Sequence, residues 1–129
     1  MNKPTILLVD DDLDDQDFFI AALRKINGVA LFDVVNNGKE AIDRLRQSNT
    51  KPTLMFMDIN MPVMNGIECL SEMAKDPLIN SVPVVMLSSS SEREKQAREL
   101  GAKAFITKQY NIEKLRQKVE QMLHMVLVA

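Results

Sequence analysis

The chain has 129 residues, of which 46% are hydrophobic and 26% charged, an ordinary balance for one soluble domain, expected here over residues 1–129. A net charge of −2 offers no basic surface for nucleic acid or an anionic membrane, and no apolar run approaches the ~18 residues of a membrane span. The lone Cys69 excludes an intramolecular disulfide or a CxxC site and fits a cytoplasmic location.

Five short apolar runs follow one another along the chain: Thr5–Val9, Leu31–Val35, Leu54–Met57, Val82–Leu87 and Ala104–Thr107. None alternates with polar residues, which predicts parallel strands buried on both faces. Helical stripes lie between them. Phe18, Ala22 and Ile26 form the first, with Phe19 and Leu23 alongside; Ala41, Ile42 and Leu45 form the second. Asn65 and Glu68 mark the start of a third through Ile67, Leu70, Met73 and Ala74, a capping-box spacing. Ser91 and Glu94 predict the opening of a fourth in the same way. The last stripe steps through Ile112, Leu115, Val119, Met122 and Val126. Five strand–helix units predict an α/β, doubly wound parallel sheet of flavodoxin-like order 2-1-3-4-5, with helices on both faces.

Open sheets of this kind carry their functional groups beyond the carboxyl ends of the strands. The first run ends at Asp10, Asp11 and Asp12, the third at Asp58, the fourth at Ser88 and the fifth at Lys108. The second ends at Asn36, on a strand expected at the sheet edge. Carboxylates, a hydroxyl and an ammonium therefore converge on one rim. Crowded carboxylates repel one another, but around a hard divalent cation they become favourable ligands, and Mg²⁺ takes oxygen donors of this type. The only histidine, His124, lies far along the chain, which argues against zinc. No GxGxxG or GxxxxGK[ST] loop is present, which argues against a dinucleotide or a P-loop nucleotide.

The segments "ILLVDDD", "LMFMDINMPVMNGIE", "VVMLSSS" and "GAKAFITK" resemble, in order and spacing, the motifs of response-regulator receiver domains of two-component phosphorelays, the CheY-like type. The resemblance implies that Asp58 is the phosphoacceptor and that its carboxylate attacks phosphorus. Asp10 and Asp11 match the acid pair that, with Asp58 and the backbone carbonyl of Asn60, holds Mg²⁺. Ser88 matches the hydroxyl that follows the phosphoryl group, Lys108 the cation beside it, and Phe105 an aromatic switch position, with a plain core phenylalanine as the alternative. Asp12, Asp14, Asp15 and Asp17 read as helix-start and solubility residues, favoured by the positive end of the helix dipole. Implied partners are a sensor histidine kinase or histidine phosphotransfer protein and a downstream protein target. The only chemistry implied is the chain's own phosphorylation and dephosphorylation, so it is not expected to be an enzyme acting on a separate substrate.

One departure stands out. The family usually has Lys-Pro with a cis bond where this chain has Lys108-Gln109, and a cis bond before a residue other than proline costs about 2.5–4 kcal/mol. Competing readings are an aspartate-based phosphatase, an unphosphorylated interaction module and a flavin binder. The first wants a second acid two residues past the nucleophile, where Asn60 stands. The second fits poorly with a complete acid pair, and the third with the lack of a phosphate loop after the first strand. The ending "QMLHMVLVA" places Leu123, Met125, Leu127 and Val128 off the docking stripe. They predict contact with a second subunit, a homodimer being simplest, or with a partner; otherwise they fill the chain's own core. The chain reads as a stand-alone receiver or as a piece of a longer protein.

Overall fold

The structure is a computed structural model and describes residues 3–128. Strands β1 (Thr5–Val9), β2 (Ala30–Val35), β3 (Leu54–Asp58), β4 (Val84–Ser88) and β5 (Ala104–Thr107) alternate with helices α1 (Leu13–Leu23), α2 (Gly38–Gln47), α3 (Gly66–Ala74), α4 (Glu94–Glu99) and α5 (Ile112–Leu127). All strand pairs are parallel, in the order β2-β1-β3-β4-β5, as the apolar runs predict. Every residue of β3 and β4 is buried, because each has helices on both sides. Edge strand β2 is half-exposed, as expected.

The pleat divides the strand residues between two cores. Leu7, Val9, Met55, Met57 and Met86 face α2, α3 and α4, joined by Leu45, Leu70 and Ala97. Ile6, Leu8, Phe56, Val85 and Leu87 face α1 and α5, joined by Phe19, Leu115 and Val119. Each Val, Leu, Ile, Phe or Met side chain among them, fully buried, contributes about 1.5–3 kcal/mol.

Local sequence sets most helix starts. The side chains of Asp12, Asn37, Asn65 and Asn111 accept backbone N–H bonds at the starts of α1, α2, α3 and α5. Asn65 and Glu68 complete the reciprocal capping box. The expectation for α4 is corrected. Ser88 Oγ accepts the Ser90 N–H and Ser90 Oγ accepts the Glu92 N–H, both at 3.2 Å. These turns occupy the serine run, and the helix starts only at Glu94, with Arg93 in the capping position and no side-chain cap. Ser91 contributes only its carbonyl, to the Glu94 N–H.

The expectation for α5 is corrected as well. Leu123 is buried with Leu115 and Val119, because the inner line of this helix steps by four residues. Met125 packs half-buried against the same core. Only Leu127 and Val128 of the four outlying apolar residues stand in solvent.

Candidate phosphoacceptor and cation site

Backbone register brings the strand ends together. Asp58 pairs with Leu87 across β3 and β4, and Ser88 with Thr107 across β4 and β5. The Lys108 N–H donates to the Ser88 carbonyl at 2.8 Å, and the Asp10 N–H to the Val35 carbonyl at 3.0 Å. The β3–α3 junction is equally tight. Gly66 N–H donates to the Ile59 carbonyl at 2.8 Å, and a Cβ on Gly66 would lie 2.3 Å from the Asp58 carbonyl oxygen. Only glycine lets the α3 start approach the acid-bearing strand this closely.

Carboxylate oxygens of Asp10, Asp11 and Asp58 lie within 4.8 Å of one another. Asp10 and Asp58 are buried, and Asp11 is exposed at the mouth. An all-oxygen set with one open side fits a hard divalent cation that retains water, such as Mg²⁺. Asn60, two residues beyond Asp58, is exposed and lines a cleft with Ile59, Ser88, Ser90, Glu92 and Arg93.

Lys108 reaches the site from the other side. Its bond to Gln109 is trans, and its Nζ still donates to Asp10 Oδ2 at 3.1 Å and to Asp15 Oδ2 at 2.6 Å. It stands 3.3 Å from Asp58 Oδ2 as an ion pair. Asp58 Oδ1 accepts the Ile59 N–H at 2.8 Å.

Burial dominates the electrostatics of the acids. It pushes the Asp10 carboxyl up to about 6, against the lowering by the Asp12 N–H and the Lys108 charge. Burial raises the Asp58 carboxyl too, again only partly offset by Lys108. Burial alone would lower the Lys108 ammonium. The Asp15 hydrogen bond and the charges of Asp58 and Asp10 outweigh it and raise this group instead.

All five strand-end residues expected in the site are therefore assembled: Asp10, Asp11, Asp58, Ser88 and Lys108. Phe105 is not among them. It lies in β5, paired with Met86 across β4 and β5 and buried in the core. Two residues escape the sequence reading. Asp15, taken there as a helix-start acid, is the shortest contact of Lys108. Gln16 is buried, and its Nε2 donates to the Asp10 carbonyl at 2.6 Å and to Asn36 Oδ1 at 2.9 Å, tying β1 to the end of β2. The only sequence signal for either is position: both lie in the first turn of α1, whose start points at the rim.

A parallel sheet with three acids, a hydroxyl and a lysine on its carboxyl rim defines a class, the aspartate-centred phosphoacceptor domains of doubly wound topology. The response regulator receiver domain family model matches residues 6–120, and the chain belongs to that family. It is 40% identical over 112 residues to a protein-glutamate methylesterase/protein-glutamine glutaminase of Desulfotalea psychrophila, covering 84% of this chain and 30% of that protein. It is 35% identical over 122 residues to the transcriptional regulatory protein CpxR homolog of Haemophilus influenzae, covering 92% of this chain and 49% of that protein. The chain thus spans half or less of these curated relatives. Among solved structures, the phosphorylated cyanobacterial phytochrome response regulator RcpA superposes with a TM-score of 0.84 at 30% identity, covering 98% of this chain and 95% of that one. The Mn²⁺-bound form of response regulator Rcp1 gives 0.77 at 27% identity, covering 92% and 91%. Among the described residues, no helix is long and apolar enough to cross a membrane.

Proposed function

We propose that residues 1–129 act as a cytoplasmic phosphoacceptor, with Asp58 taking a phosphoryl group from a phosphohistidine. The donor would be a sensor histidine kinase or a histidine phosphotransfer protein. An Asp58 carboxylate oxygen bonds to phosphorus as the P–N bond to histidine breaks, and the nitrogen keeps the electron pair. Asp10, Asp11, Asp58 and the Asn60 carbonyl would hold Mg²⁺, which supplies charge stabilisation for the transferring group. Lys108 pairs with the phosphoryl oxygens and the Ser88 hydroxyl donates to one of them. Movement of Ser88, with repacking of Phe105, would pass the change to the face of α4, β5 and α5 and so to a downstream protein. The chain catalyses only its own phosphorylation and dephosphorylation. The carrying observation is the convergence of three carboxylates, buried or at the mouth, with a lysine on one sheet rim.

Exposed Leu13, Val63 and Tyr110 follow β1, β3 and β5 at that same rim and suit an apolar docking patch for the donor. Exposed Leu127 and Val128 support a homodimer contact at the far end of α5. Sedimentation equilibrium showing a monomer, with and without phosphorylation, would remove that contact.

The central test is treatment with acetyl phosphate and Mg²⁺ followed by intact mass. The wild-type chain should gain one phosphoryl group, and Asp58→Asn should gain none. Undiminished labelling of Asp58→Asn would move the acceptor elsewhere.

A further inference from the structure

Lys108 has three N–H donors and three carboxylates around it, but it does not share itself equally. It donates to Asp10 and Asp15 and makes only the longer ion pair, at 3.3 Å, with Asp58. The shortest contact, 2.6 Å, goes to the one carboxylate of the three that is outside the metal-competent set of Asp10, Asp11 and Asp58. Both partners of that contact are largely shielded, with 12% of the Lys108 side chain and 19% of the Asp15 side chain exposed. Such a pair is screened less by salt than a surface bridge.

We propose that Asp15 is a positioning residue that holds the Lys108 ammonium on the α1 side, where it can stay when Asp10 and Asp58 give up their contacts with it to the divalent cation, and that it competes with the phosphoryl group for that ammonium. This inference rests on the phosphoacceptor reading of the site. A cation bound by Asp10 and Asp58 repels the ammonium that now touches them. Asp15 is the remaining anion within reach, so it lowers the cost of admitting the metal. Once a phosphoryl group is on Asp58, its oxygens need the same ammonium, and every hydrogen bond kept by Asp15 is one they lack. Asp15 therefore acts in opposite directions on the two ligands, through a single lysine.

The experiment uses the full chain and two probes: Mg²⁺ alone, and beryllofluoride, a phosphoryl mimic, at saturating Mg²⁺. Asp15→Asn should weaken Mg²⁺ about five-fold and tighten beryllofluoride by about the same factor. Asp15→Glu should restore both values toward wild type. Asp14→Asn removes the same charge from the neighbouring exposed position and should change each by less than about two-fold. In a Lys108→Gln background, the added Asp15→Asn change should alter either affinity by less than about two-fold, since the coupling passes through the ammonium. The assignment is overturned if Asp15→Asn behaves like Asp14→Asn, if it weakens both probes, or if its effects persist without Lys108. A wild-type chain that binds neither probe would instead defeat the phosphoacceptor reading beneath it.

Discussion

The two sides of the rim are built differently. On the α1 side, Lys108 is locked among Asp10, Asp15 and Asp58, and Gln16 clamps the Asp10 carbonyl. On the α3–α4 side, Ser88 is buried but its hydroxyl meets only the Ser90 N–H. Asn60, Ser90, Glu92 and Arg93 around it are exposed, and the described residues show no ion pair there. The charged side is held by long-range contacts before any ligand arrives; the Ser88 side is held by turns of its own chain. In the proposed reaction, side chains fixed by long-range ion pairs would hold Asp58 and Lys108 in place, while turns held by bonds within their own segment would be freer to follow a new group.

If that contrast is right, the largest loss should come from the locked side. Lys108→Met leaves Asp10, Asp15 and Asp58 without their cation, and the metal-free protein should lose about 3 kcal/mol by urea unfolding. A loss below about 1 kcal/mol would show that the acids relieve one another by protonation or by water, and that the lock is weak.

A pH series should expose the same stress. The folded Asp10 carboxyl titrates at about 6 against an ordinary 3.8. Between those values the folded chain keeps a proton that the unfolded chain has released, so stability falls as pH rises. The fall is on the order of 2–3 kcal/mol, and the raised Asp58 acts in the same direction. Lys108, raised above its ordinary 10.5, contributes stability fully below that value, so it does not change across this window. Asp76 and Glu113 are lowered by Arg46 and Arg116 from their ordinary 3.8 and 4.5, so their contribution is lost only below those values and stays constant between about pH 5 and about pH 7.5. Metal-free protein should therefore melt higher at about pH 5 than at about pH 7.5, and Mg²⁺ should reverse the order. A melting temperature flat across the window would contradict the burial of these acids.

The open side should respond far less. Ser88→Ala removes one acceptor of a backbone N–H and should cost about 1 kcal/mol or less by urea unfolding, while weakening beryllofluoride binding measurably. A large stability loss with unchanged ligand binding would make Ser88 a structural residue.

The smallest effect is a gain. Val63, in the β3–α3 loop, is 77% exposed with φ at 67°, the left-handed region that a β-branched side chain avoids. Val63→Gly should raise stability by about 0.5–1 kcal/mol, the strain relieved minus the added freedom of the unfolded chain. If the chain is instead destabilised, the side chain contributes contacts that outweigh its backbone strain.

The sequence by itself determined the sheet and the strand-end chemistry. Strands buried on both faces must be continuous apolar runs, and their carboxyl ends share one rim, so Asp10, Asp11, Asp58, Ser88 and Lys108 could be placed together from spacing alone. Helix starts with a side-chain cap, such as Asn65 with Glu68, were legible for the same local reason. What needed the tertiary structure was every feature set by reach. Asp15 meets Lys108 across 93 residues of chain, and nothing within α1 distinguishes it from its exposed neighbour Asp14. Leu123 continues a four-residue line with Leu115 and Val119, but that this line of α5 is the inward one follows from how the helix packs against α1; the late start of α4 is local by contrast, because Ser88 and Ser90 spend their hydroxyls on turns. Local codes fix caps and periods; which of several similar side chains reaches a buried charge depends on where distant elements pack.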